Sequence, residues 1–224
     1  MPQVRMIGIT QPNVTNTDCV TAEELIAYAA RVSNPGNQNN NETAPKLLKY
    51  LAKHRHWSPF EMVHVVMEIT TTRDIARQIL RHRSFSFQEF SQRYAVASNM
   101  VVSEARLQDN KNRQNSIENE DAFLEEEWIA AQEELIDIVQ ATYKEFLDRG
   151  MAKEVARKIL PEGITESVLY MSGTVRSWIH YCQERTQPGV QKEHRIIATY
   201  CQDLLLEYFP SLKEILIDSK LERV

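Results

Sequence analysis

The sequence predicts an α+β fold, with helices packed around a small antiparallel sheet, and two features of its patterning carry that expectation. From position 63 to 70, Val63, Val65, Met67 and Ile69 alternate with His64, Val66, Glu68 and Thr70, which is the period of a half-buried strand. On both sides of it, apolar residues recur at three- and four-residue spacing in separate segments, as they do along one face of a helix. Runs of helices around a few strands define this class, although the spacing leaves the strand pairing open.

Each element follows from local signals. Thr21-Ala22-Glu23-Glu24 has capping-box spacing and opens an apolar run through Leu25, Ile26, Ala29 and Ala30 that Pro35-Gly36 stops. After an Asn-rich loop, Leu47, Leu48 and Leu51 mark a second helix that reaches Lys53. The strand over 63–70 is followed by a helix expected over 73–83. Residues 100–107 read as a returning strand, and the polar stretch 108–121 as a surface excursion. A long helix over 123–147 ends at Gly150, a suitable C-cap residue, and a shorter one over 153–160 stops at Pro161. A strand over 164–171, a helix over 174–184 and a closing amphipathic helix over 191–208 complete the chain before Pro210. With no repeat and no linker, residues 1–224 are expected to form one domain.

Composition narrows the function classes. Hydrophobic residues make up 42% and charged residues 25%, an ordinary globular balance, and no apolar stretch is long enough to span a bilayer. The first residues resemble neither a signal peptide nor a transit peptide, so a cytoplasmic location and no membrane contact are expected. Cys19, Cys182 and Cys201 are odd in number and scattered, which argues against a disulfide framework and a structural zinc site. A net charge of -5 repels a nucleic-acid backbone on average, so a polyanion site must be a local concentration of Arg and Lys. No GxG pair, Walker A loop, HExxH or GxSxG turn is present, and no metal is expected.

One region stands out in this acidic chain. Arg73, Arg77, Arg81 and Arg83 crowd the expected helix over 73–83, and Ser84, Ser86, Ser91 and Arg93 follow. At helical spacing Arg73, Arg77 and Arg81 would stack, with Gln78 a turn before Arg81. Guanidinium groups grip phosphate oxygens in pairs, and a nearby amide and hydroxyls can read a base or ribose. Two other readings stay open at this point: a solvated helix end favoured by the macrodipole, and a nucleic-acid-binding module.

The order of residues is more specific than their charge. Arg81-His82-Arg83, then Ser91 after seven residues, within RHRSFSFQEFSQRY, resembles the signature of the flavin-dependent thymidylate synthases. His56-Trp57-Ser58-Pro59-Phe60-Glu61 upstream resembles a second family segment. Ala156-Arg157, Leu160-Pro161 and the series Arg176, His180, Arg185 follow in the family's order, so the resemblance spans about residues 20–210. Gln88 stands where the family usually has Asn, Met62 where a histidine is common, and Thr186-Gln187-Pro188-Gly189 also departs from the usual pattern.

That resemblance implies a ThyX-like homotetramer that methylates dUMP to dTMP. Methylene-tetrahydrofolate would give the carbon, NADPH the reducing equivalents and FAD the hydride, with no cysteine nucleophile. Arg185 would be the catalytic residue, stabilising negative charge on the uracil ring. Gln78, Leu80, Arg81, Glu89 and Phe90, with Ser91, Gln92, Arg93, Arg157 and Arg185, would bind dUMP. Ser58, Arg81, His82, Arg83 and Ser84, with Glu89, Thr174, Arg176 and His180, would meet FAD. Ser91 lacks an adjacent histidine base in sequence and reads as a hydrogen-bonding group. His56 is read either as a folate or flavin contact or as a satisfied helix-end histidine. Trp178 and Tyr181 fit either ring stacking or core packing, and Glu166, Glu184 and Glu193 read as solvated.

Overall fold

A computed structural model describes residues 2–97 and 99–217. A four-stranded antiparallel sheet forms its centre, built from β1 (Gln3–Ile9), β2 (His64–Thr72), β3 (Ser86–Glu89) and a distant strand, Glu166–Thr174. A two-stranded hairpin, β4 (Arg106–Gln108) with β5 (Ser116–Glu118), precedes that distant strand, which is therefore β6. The order across the sheet is β1-β2-β6-β3. The central pair runs in unbroken register from His64 opposite Thr174 to Thr72 opposite Glu166. In the pair of β1 with β2 the register slips between Met6 and Gly8, so Ile7 bulges.

The helices among the described residues are α1 (Ala22–Ala30), α2 (Ala44–Lys53), α3 (Arg73–Ile79), α4 (Ala122–Asp148), α5 (Lys153–Ala156), α6 (Val175–Arg185), α7 (Lys192–Tyr208) and α8 (Lys213–Leu216). α4 and α5 pack on each other, and the helices that share the main core cover one face of the sheet. The alternation along β2 decides which face they cover, since Val65, Met67 and Ile69 are fully buried and join Leu169 and Met171 of β6. Trp178 and Ile179 of α6 and Ile197, Ala198, Cys201 and Leu205 of α7 close over them. A smaller cluster of Ala97, Val139, Tyr143, Ala156 and Leu160 anchors α4 beside α5.

The ends of the helices follow the chemistry of their sequences. The Thr21 hydroxyl accepts from Glu24 N at 3.2 Å while the Glu24 carboxylate accepts from Thr21 N at 3.0 Å, a complete capping box. Asp121 caps α4 by accepting from Phe123 N and Leu124 N. Gly150, at φ +87°, ends that helix in a Schellman motif, with Gly150 N donating to Leu147 O and Met151 N to Phe146 O, each at 2.9 Å.

Several expectations are corrected. The helix over 73–83 ends at Ile79, so Arg81 and Arg83 lie in a turn and do not stack on Arg73 and Arg77. The chain has to turn there to enter β3. Of the strand expected over 100–107, only a single bridge from Met100 to Thr165 and the start of β4 exist. The excursion over 108–121 contains β5, the helix over 153–160 tightens into a 3-10 turn at Arg157–Ile159, and the late strand begins at Glu166 and runs to Thr174. β1 and β3 were not expected.

Candidate active site

β3 and the turn before it lie against α6, and this junction gathers the basic signature. Phe85 packs edge-on to Trp178, ring centroids 4.8 Å apart, in space that Gly173 leaves clear. That contact draws the preceding turn onto the end of α6. There Arg185 Nε donates to His82 Nε2 at 2.9 Å. An accepting Nε2 makes His82 a neutral imidazole. Burial, then the charges of Arg185 and His180, push its pKa down to about 4. With Nε engaged, the two terminal nitrogens of Arg185 have no partner among the described residues, so the guanidinium presents a fixed fork.

Gln78 stands beside this pair, on the last turn of α3. Its amide nitrogen donates to Gln191 Oε1 at 2.7 Å and its amide oxygen lies 3.3 Å from His194 Nδ1. His194 is completely buried, between Tyr181 and His82.

The remaining candidates form three further groups. In the first, Thr174 caps α6 by accepting from Ser177 N at 3.2 Å, Ser177 Oγ donates to Ser84 O at 3.2 Å, and Arg176 pairs with Glu61 of the 3-10 turn Ser58–Glu61. Ser58, Ser84, Thr174 and Arg176 thus share one end of the sheet, where β2 meets β6. In the second, Glu89 accepts from Ser167 Oγ at 2.9 Å, with Arg73 Nη1 at ion-pair distance, 3.3 Å, but outside hydrogen-bonding geometry. Phe90 continues the pairing through its N–H to Val168 O. In the third, Ser91 and Arg93 line an open groove of about 700 Å³ with Tyr94 and residues 151–154, and Arg93 pairs with Glu154. Gln92 is buried, with its amide nitrogen unpartnered.

Arg81, Arg83, His180 and His56 are exposed, and Leu80 and Arg157 are half-buried. The side chains of Arg81, Arg83 and Arg157 have no ion pair or hydrogen bond among the described residues. Guanidinium groups left unengaged in this way can grip an anionic group through paired hydrogen bonds.

Arg73 and Arg77, grouped with the signature on spacing, turn elsewhere, to Glu89 and Glu162. Trp178 and Tyr181 are fully buried, and the Trp178 indole donates to Val65 O at 3.1 Å, so the core reading is the correct one for both. Glu166 is half-buried and accepts from Asn99, and Glu193 is also half-buried, whereas Glu184 is exposed. Gln191 and His194 escaped the sequence reading. Position 194 does share the helical spacing of Ile197, Ala198, Cys201 and Leu205, which places it on the buried stripe of α7.

Among the described residues, no group of three or more His, Cys, Asp or Glu side chains is placed to hold a metal ion, and no helix is long and apolar enough to cross a membrane. All three cysteines are buried thiols outside any disulfide, and burial raises the pKa of Cys19 and Cys201.

A family model described as "Thymidylate synthase complementing protein" matches residues 16–211. A probable flavin-dependent thymidylate synthase of Paramecium bursaria Chlorella virus 1 is 49% identical over 213 residues, covering 95% of this chain and 97% of its own length. The flavin-dependent thymidylate synthase of Synechocystis is 48% identical over 210 residues, covering 93% and 96%. In structure the chain is similar to a UMP/dUMP methylase, PolB, from Streptomyces cacaoi bound with 5-Br dUMP, with TM-score 0.81, 24% identity and coverage of 96% and 94%. The fold is the α+β one of that solved structure, and the relatives at 48% and 49% identity define the class as an enzyme, a methyltransferase. The chain belongs to the family of flavin-dependent thymidylate synthases.

Proposed function

We propose that the enzyme methylates dUMP to dTMP, taking its carbon from methylene-tetrahydrofolate and its reducing equivalents from NADPH, with FAD as hydride carrier and no cysteine nucleophile. The observation that carries this reading is the Arg185 fork, held at Nε by a neutral His82 beside Gln78, in a molecule whose thiols are all buried. The relatives at 48% and 49% identity, which are flavin-dependent thymidylate synthases by name, support the substrate and the flavin.

Arg185 turns its free nitrogens to the uracil edge and stabilises negative charge on the ring as N3 loses its proton. It is already oriented before any ligand arrives, so little reorganisation is needed. Gln78, Arg81, Ser91, Gln92, Arg93 and Arg157 hold the nucleotide, with Leu80, Glu89 and Phe90 along its path. Arg93 must exchange Glu154 for phosphate oxygens to do so. FAD supplies hydride when bound, and Arg81, Arg83 and His180 would face its pyrophosphate, with Ser58, His82, Ser84, Glu89, Thr174 and Arg176 completing its contacts. His56 lies exposed, open to the folate or the flavin ring.

These groups are spread over separate parts of one subunit's surface, which supports a homotetramer with sites shared between subunits. Phe123, Trp128, Leu135 and Ile138 of α4 are exposed and offer an apolar face for such assembly. The test is a purified protein assayed for dTMP with dUMP, methylene-tetrahydrofolate, NADPH and FAD. A yellow protein that forms dTMP supports the proposal. A colourless one without turnover, whose nucleic-acid binding falls steeply with salt, would replace it with a nucleic-acid-binding function.

A further inference from the structure

We infer that His194 is a positioning residue for the nucleotide, acting through Gln78. The inference rests on the proposed binding of dUMP by Gln78. A carboxamide on a flexible side chain can flip, exchanging its donor and acceptor ends, and a flipped amide offers a ligand the wrong groups. Here both ends are engaged from α7 and the segment leading into it, with the nitrogen donating to Gln191 Oε1 at 2.7 Å and the oxygen 3.3 Å from His194 Nδ1. An amide oxygen only accepts, so His194 Nδ1 bears the proton and Nε2 is bare. One amide N–H and one oxygen lone pair of Gln78 stay free for a ligand, in a fixed sense.

The rest of the ring's environment fits this role. His194 is completely buried, and its Nε2 has no hydrogen-bond partner, an arrangement that works against stability. An apolar residue would fill this place on the α7 stripe without that penalty, so the imidazole is of use through its other nitrogen. Burial, with the nearby charge of Arg185, pushes the pKa of His194 down to about 3, so the ring keeps a single proton and its tautomer at neutral pH. His82 lies edge-on to the same ring, centroids 6.3 Å apart, which ties the Gln78 amide and the Arg185 fork into one packed unit.

The test measures dUMP binding to the flavin-loaded protein by titration calorimetry, with steady-state kinetics alongside. The wild type must first bind dUMP and form dTMP. Failure there removes the functional reading, and this inference falls with it. Given that activity, His194→Leu is expected to raise the dUMP Kd and KM about fivefold to tenfold, the worth of roughly one hydrogen bond, while kcat stays near the wild-type value. His194→Asn, whose amide nitrogen can stand close to the place of Nδ1, is expected to restore most of the affinity. Adding Gln78→Ala to His194→Leu is expected to cost less than Gln78→Ala alone. A His194→Leu protein with wild-type Kd, equal losses for Leu and Asn, or fully additive losses in the double variant would each overturn the assignment. Should the Leu variant not fold, exposed Gln191→Ala removes the other restraint on the same amide, and an unchanged dUMP Kd in that protein overturns it as well.

Discussion

Arg185 donates through Nε to Nε2 of His82 at 2.9 Å, so the guanidinium proposed as the catalytic group is oriented by a neutral imidazole and not by a carboxylate. A carboxylate would cancel its charge. The imidazole fixes its direction and leaves the charge whole, and burial of the ring keeps His82 unprotonated at neutral pH.

Arg185→Ala is accordingly expected to lower kcat by about 10²–10³, the usual loss when a preorganised donor to developing negative charge is removed. Flavin content should be unchanged, as read from the visible spectrum of the purified variant. Turnover at the wild-type rate would refute the catalytic assignment. His82→Phe keeps the ring packing but removes the acceptor, and is expected to lower kcat by a smaller factor.

Acid should destabilise the fold in a particular window. Histidine in the unfolded chain takes up its proton near pH 6.5, while folded His194 stays neutral down to about 3 and His82 to about 4. Between those limits the unfolded state binds more protons, so stability falls as pH drops below 6.5. Fully buried His194 contributes up to about 1.4 kcal/mol per pH unit. Denaturant midpoints between pH 7 and 5 measure this, and His194→Leu should flatten the dependence.

Gly173→Ala should damage the sheet end that carries β3. A Cβ there would stand 2.4 Å from Cδ1 of Phe85, whose ring is itself pressed against Trp178. Overpacking of this kind costs about 1–3 kcal/mol. The thermal midpoint is expected to fall, and Phe85→Leu added to Gly173→Ala should recover part of the loss, since the smaller side chain yields the space.

The pairing of Arg73 with Glu89 gives a fourth expectation. Both side chains are largely shielded, 15% and 21% exposed. Arg73→Met should destabilise by about 1–3 kcal/mol through a carboxylate left with Ser167 alone. Adding Glu89→Gln is expected to return part of that stability, as a double-mutant cycle in urea would measure.

Much of this was legible in the residues, and the failures have physical causes. The capping box at Thr21, the alternation along β2 and the Schellman end at Gly150 are local signals that tertiary contacts reinforce. The early end of α3 is not legible in sequence because no glycine or proline marks it. Its limit is set by the packing of Phe85 on Trp178, a contact between residues far apart in sequence. β3 was hidden inside the signature, although Phe85 and Phe87 alternate there with Ser86 and Gln88 as a strand requires. Of the four clustered arginines, charge could not separate Arg73 and Arg77, which meet Glu89 and Glu162, from Arg81 and Arg83, which meet no described carboxylate. The partners come from segments that only the fold brings near. His194 shares the helical spacing of the buried stripe of α7, and that spacing carries no sign of its polar contact with Gln78.

The three enclosed thiols have a practical consequence. A maleimide or iodoacetamide label meets no accessible sulfur on the native chain, so alkylation can proceed only at the pace at which the polypeptide opens. Sulfhydryl tagging followed by mass spectrometry therefore becomes a clock for opening, with Cys19 reporting local release of the loop just before α1 and Cys182 and Cys201 reporting from the heart of the helical layer.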